Sequence, residues 1–175
     1  MVQKKSTPVY DGVIFKVTKD EVDIKGTTYQ RDIVHHNGGV GILAIQNNKL
    51  LFVKQYRYAV QEETIEIPAG KLEQGEVPYE SALRELEEES GYTTNTLHTL
   101  AQVYSTPGFC NEKLYLYWCN ELIKVEHPLP MDEDEDIEII WMDVEEAYQK
   151  VESGEITDAK TIIAIQYAKL HFTTL

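Results

Sequence analysis

Positions 9 to 35 carry the two-residue period of strands. Val13, Phe15 and Val17 fall at every second position, followed by Val22 and Ile24, then Tyr29 and Ile33. Lys25-Gly26 predicts a turn between two of these runs, and Gly38-Gly39 a break. Residues 40–46 and 49–56 predict a strand pair joined at Asn47-Asn48, a turn dipeptide. Thr64 to Ile67 predicts a short strand stopped by Pro68. Further strands are expected at 97–104, 113–119 and 137–142. Helices are expected at 78–90, 143–153 and 158–170, the last with Ala159, Ile162, Ile163, Tyr167 and Leu170 at helical steps. Strands dominate and helices come late, without strict βαβ alternation. That predicts an α+β fold with a mixed sheet flanked by helices. Residues 1–37 are expected to be a small antiparallel β unit, and residues 38–175 the main domain.

Composition narrows the class. The 175 residues hold 16 Lys and Arg against 30 Asp and Glu, a formal charge of −14. Such acidity makes nucleic acid and anionic lipid poor partners for the general surface. No apolar run approaches the ~20 residues of a membrane span, and none follows the start as a signal peptide would. Two cysteines, Cys110 and Cys119, make no disulfide framework. A soluble cytoplasmic protein is the expectation.

One segment stands apart. It runs from Ile67-Pro68-Ala69-Gly70 through Glu76 to Arg84-Glu85-Leu86-Glu87-Glu88-Glu89-Ser90-Gly91-Tyr92. Pro78 suits the first turn of a helix and Gly91 the position just past its end. Tyr79, Ala82, Leu83, Leu86 and Ser90 form a narrow core-facing stripe. Glu85, Glu88 and Glu89 share the opposite flank at i, i+3 and i+4. Like charges at those steps repel by a few tenths of a kcal/mol per pair. They also crowd the helix C-terminus, where the macrodipole opposes anions by roughly 0.3–1 kcal/mol each. A divalent cation would reverse both signs, and an all-oxygen donor set suits Mg²⁺ or Mn²⁺. A solvated acidic face in an acidic protein is the other reading. Arg84, four residues before Glu88, is placed to hold it.

The segment resembles the Nudix box, G-x5-E-x7-R-E-U-x-E-E-x-G-U with U bulky and apolar. Gly70, Glu76, Arg84, Glu85, Leu86, Glu88, Glu89 and Gly91 match, and Tyr92 stands where an aliphatic residue is commoner. Similarity to the ADP-ribose pyrophosphatase subfamily spans nearly the whole chain. It rests on Gln55-Tyr56-Arg57, on Glu66-Ile67-Pro68-Ala69-Gly70, and on Pro107, sixteen residues after Gly91, within Thr106-Pro107-Gly108-Phe109. It rests further on Arg31 with His36 and Gly38, and on Asp158-Ala159-Lys160-Thr161.

The resemblance implies an α/β/α sandwich and hydrolysis of the ADP-ribose diphosphate to AMP and ribose 5-phosphate. It implies Mg²⁺, replaceable by Mn²⁺, on Glu85, Glu88, Glu89 and the Ala69 carbonyl, with Glu76 in support. Arg57, Arg31, Glu66, Pro107 and Gly108 would contact substrate. Glu112 would be the general base, with Glu133 or Glu135 as alternatives. Tyr10 and Phe15 are candidates for stacking on adenine. A two-fold homodimer that exchanges N-terminal strands is also implied. Rival readings are a sugar nucleotide or dinucleoside polyphosphate as substrate, an inactive nucleotide-binding module, and an acidic cation buffer.

Overall fold

The Asn47-Asn48 turn organises the central sheet. Both residues have positive φ, 53° and 60°, as a two-residue hairpin requires. It joins β4 (Gly39–Gln46) to β5 (Lys49–Arg57). These strands pair only at Ile45↔Leu50 and Gln46↔Lys49, then diverge. The wedge between them is filled by β6 (Glu62–Glu66), antiparallel to β5, and β7 (Ala69–Lys71), antiparallel to β4. Ile67 and Pro68 cross the gap, and the Pro68 carbonyl accepts from the Ile42 amide at 2.8 Å. This split delivers the Ala69-Gly70 backbone to the helix that follows.

The structure is a computed structural model that describes residues 1–131 and 136–172. The remaining elements are β1 (Val2–Asp11), β2 (Phe15–Ile24), β3 (Thr27–His36), α1 (Pro78–Ser90), β8 (Tyr92–Thr93) and β9 (His98–Tyr104). They continue with β10 (Lys113–Cys119), β11 (Ile123–Lys124), β12 (Glu138–Asp143), α2 (Val144–Glu152) and α3 (Ala159–His171). The main sheet runs β12-β5-β4-β10-β9, with β4 and β10 parallel and the other neighbours antiparallel. A mixed sheet is what the element order predicted.

Alternation along β4 sorts its side chains into two cores. Leu43 and Ile45 join Phe52, Ala147, Ala164 and Ile165 beneath α2 and α3. Val40, Ile42 and Ala44 join Leu51, Ala82 and Leu86 beneath α1. The fold is therefore the expected sandwich of helices on both sheet faces. Asp143 and Asp158 cap α2 and α3 by accepting from the Glu146 and Thr161 amides, which fixes both helix starts. Along α3 the buried residues are Lys160, Thr161, Ala164, Ile165 and Ala168. Leu170, expected on the core stripe, is 75% exposed.

The β1-β2-β3 meander forms its own three-stranded sheet. Two expectations change there. Val13 does not belong to the β2 alternation; it lies at the tip between β1 and β2 and is fully exposed. Residues 2–8 were not predicted as strand, because Gln3 to Thr7 carry no apolar alternation. Polar bonds hold them instead: Asp20, nearly buried, accepts from Ser6 Oγ at 2.6 Å and Gln3 Nε2 at 2.8 Å. The meander meets the main domain through β3, where Val34 exchanges backbone bonds with Phe109 and Asn111 at 2.7 and 3.1 Å. Val9, Tyr10, Ile14, Phe15 and Tyr29 remain exposed on it.

Candidate active site

Helix α1 begins at Pro78 and ends at Gly91, whose φ of 68° closes the last turn by donating to the Glu87 carbonyl. No basic residue occupies that last turn, so the macrodipole is left uncompensated by the helix itself. Arg84 balances part of the charge. Arg84 lies 3.1 Å from Glu76 Oε1, 2.9 Å from Glu85 Oε1 and 2.6 Å from Glu88 Oε2. The predicted Arg84–Glu88 pair is present, and Glu76 and Glu85 join it. One guanidinium thus faces three carboxylates, and the cluster keeps a formal charge of −2. Burial works against the Arg84 charge, but Glu85, Glu88 and Glu76 outweigh it and raise its pKa further.

Glu85 and Glu89 meet the crossing strand. A Cβ at Gly70 would fall 1.8 Å from Glu85 Cδ, so the missing side chain is the space Glu85 occupies. Glu89 is 3% exposed and accepts from the Ala69 amide at 2.8 Å. Glu85 and Glu89 are therefore packed on a backbone seat, and Glu88 is held by Arg84 instead. Among the described residues no three His, Cys, Asp or Glu side chains converge in a ready metal cage; Arg84 draws Glu85 and Glu88 to itself. The donor chemistry fits a hard divalent cation: oxygen alone, in charge excess, on a rigid seat.

A cavity of about 420 Å³ opens beside Glu85 and Arg84, lined also by Lys71, His36, Val13 and Ile14. His36 and Lys71 are site residues that the sequence reading did not assign. His36 sits at the end of β3, and its Nδ1 accepts from the Gly38 amide at 3.0 Å. Glu112 Oε1 lies 3.5 Å from the same Nδ1, which brings the candidate base to the cavity wall. The place of His36 beside Arg31 and Gly38 in the resemblance was the signal that pointed to it.

The other candidates lie elsewhere. Pro107 and Gly108 line a separate cavity of about 330 Å³ with Ile33, Tyr104 and Phe109. Arg31 donates to its neighbour's carbonyl, Gln30 O, at 2.9 Å and lies over Tyr29, and it lines neither cavity. Tyr10 and Phe15 pack on each other with centroids 5.5 Å apart. Glu133 and Glu135 lie outside the described residues.

Arg57, expected at the substrate phosphates, is also paired within the protein. Its Nε and one terminal nitrogen grip the two oxygens of Glu66 at 2.7 Å each. Lys160 Nζ contacts Glu66 as well, and Thr64 Oγ1 donates to it at 2.6 Å. Arg57 also feels the charge of Glu89, so this cluster borders the box helix. Burial alone would push the Glu66 carboxyl up; Arg57, Lys160 and Thr64 outweigh it and bring it down to about 2. A depressed carboxylate stabilises the fold above its unfolded pKa and loses that contribution as pH falls toward the folded value. Urea unfolding should show up to about 3 kcal/mol lost from Glu66 between roughly pH 5 and 2. Glu66→Gln should flatten that slope; parallel wild-type and variant profiles would contradict the assignment.

The family profile described as NUDIX domain matches residues 35–164. The methanol dehydrogenase activator of Bacillus methanolicus is 42% identical over 95% of this chain and 91% of its own length. The ADP-ribose pyrophosphatase of Bacillus subtilis is 41% identical over 93% of this chain and 89% of its own. A crystal structure of an ADP compounds hydrolase superposes with a TM-score of 0.86 at 20% identity, covering 97% of this chain and 92% of that one. At that identity the last likeness speaks for the fold.

Proposed function

The chain belongs to the Nudix family, a pyrophosphohydrolase by its box, and on that footing we propose that it hydrolyses ADP-ribose to AMP and ribose 5-phosphate. The observation that carries this reading is the seat of Glu85 on Gly70 and Glu89 on Ala69. It joins the two ends of the Nudix box into one centre. The 41% identical ADP-ribose pyrophosphatase supports the substrate.

Glu85, Glu88, Glu89 and the Ala69 carbonyl would hold Mg²⁺, or Mn²⁺ in its place, and the ion would supply Lewis acidity and charge neutralisation at the diphosphate. Arg84 holds Glu76, Glu85 and Glu88 together. It must share them with an incoming cation. Glu112 is the proposed base for the attacking water; its carboxylate reaches the cavity wall through His36. Arg57 presents to phosphate the part of its guanidinium that Glu66 does not grip, and Glu66 sets its orientation. Pro107 and Gly108 shape the neighbouring cavity.

The exposed meander of residues 1–37 is the proposed dimerisation unit, because a three-stranded sheet with open apolar positions has little of its own to pack against. Arg31, Tyr10 and Phe15 would then serve the partner's site across a two-fold axis. Sedimentation equilibrium should give twice the chain mass; a single-chain mass would remove this part. The cytoplasm is the proposed compartment; no helix among the described residues is long and apolar enough to cross a membrane.

The deciding assay is turnover with Mg²⁺ of ADP-ribose against GDP-mannose and a dinucleoside triphosphate. ADP-ribose should give AMP and ribose 5-phosphate at the highest kcat/KM. Preference for a sugar nucleotide or dinucleotide would move the substrate assignment, and binding without turnover would make the chain an inactive module. The 42% identity to a methanol dehydrogenase activator supports a second reading, in which the chain activates a dehydrogenase. Adding it to methanol dehydrogenase and following the alcohol oxidation rate tests that reading.

A further inference from the structure

Lys160 is a cation that the proposed chemistry leaves without a task. It is 9% exposed, on the first turn of a helix. A buried ammonium is costly unless paired, and this one has two carboxylates. Its Nζ contacts Glu66 Oε2 and lies 3.0 Å from Asp158 Oδ2. The next residue repeats the connection. Thr161 is fully buried, and its Oγ1 accepts from the amide of Ile67 at 2.8 Å while donating to Asp158 Oδ2 at 2.6 Å. Two consecutive residues of α3 thus hold Glu66, the end of β6, and Ile67, the first residue of the segment that crosses the split sheet. Ala69, the seat of Glu89, is two positions further on.

We propose that the first turn of α3 is a positioning clamp for the hydrolytic centre, with Lys160 orienting Arg57 through Glu66 and Thr161 fixing Ile67 and hence the Ala69-Gly70 seat. The proposal rests on the reading of the centre given above. Both act through the segment that crosses the split sheet. The electrostatics give Lys160 a definite sign. Arg57 and Lys160 balance Glu66 and Asp158 in charge. Without Lys160, Glu66 is left with Arg57 and the neutral Thr64 hydroxyl, and the guanidinium offers a weaker field to a diphosphate. A purely structural pin would change stability and leave substrate affinity alone.

The test uses the full chain with Lys160→Met, Lys160→Arg, Thr161→Val and Thr161→Ser. Amide hydrogen exchange of the segment 66–70, read without substrate, should speed up ~10-fold or more in Thr161→Val and stay near wild type in Thr161→Ser. For ADP-ribose, Lys160→Met should raise KM ~10-fold with kcat within about threefold, and Lys160→Arg should restore most of the loss. Unchanged exchange in Thr161→Val overturns the clamp. So does an unchanged KM in Lys160→Met, or a KM defect that Lys160→Arg leaves in place. The exchange arm needs no turnover. A wild-type chain inactive on ADP-ribose would therefore overturn the substrate reading and leave the clamp judged on its own data.

Discussion

Glu89→Gln is expected to lower kcat for ADP-ribose by on the order of a hundred to a thousandfold, with a smaller change in KM. The substitution is nearly isosteric. The amide oxygen of Gln can still accept from the Ala69 N–H, the bond that Glu89 makes at 2.8 Å. Packing at a site 3% exposed is kept, so folding should survive, and the melting temperature should stay within a few degrees. Only the charge is lost. That charge is what a divalent cation would draw on. Steady-state kinetics at saturating Mg²⁺ reads the effect; a rate equal to wild type would contradict the role given to Glu89.

Gly70→Ala should reduce kcat about a hundredfold while leaving the fold almost as stable as before. The new methyl carbon would lie 1.8 Å from Glu85 Cδ and 1.9 Å from Oε1. That overlap is with the mobile end of a side chain. Glu85 swings away and the backbone stays, so the cost falls on geometry. Displacing one carboxylate by more than an ångström is enough to disable a centre that needs its oxygens converging. Thermal unfolding beside turnover separates the outcomes: lost activity with a kept melting temperature supports the seat, and equal loss of both points to misfolding.

The sequence made parts of this legible for physical reasons. Pro78 and Gly91 mark the ends of α1 because one lacks an amide that the first turn does not need and the other takes the left-handed closing conformation. Glu85, Glu88 and Glu89 stand out because their spacing opposes both pair repulsion and the helix dipole. What stayed hidden depends on contacts far along the chain. Strand β7 exists only because Gly39 to Gly41 lies beside it. Lys160 reaches Glu66 across 94 positions, and no local pattern encodes that. The grip of Arg57 on Glu66 was hidden too, since the register of β5 and β6 sets Arg57 opposite Glu62 and only the side chains bring it to Glu66. His36 carried no assigned role in the sequence, and the closure of β3 onto the box makes it a wall of the cavity. The exposed Leu170 shows the limit of periodicity where apolar residues surround a helix on most sides.

One experiment addresses the central claim without passing through rates. Crystals grown with Mn²⁺ and a non-hydrolysable ADP-ribose analogue, measured for anomalous scattering, should show manganese held by Glu85, Glu88 or Glu89 and the Ala69 carbonyl beside the bound analogue. The same data from Glu85→Gln/Glu89→Gln crystals should lack those peaks. Analogue seated with no metal on these oxygens, or manganese held at some other cluster, would contradict the account.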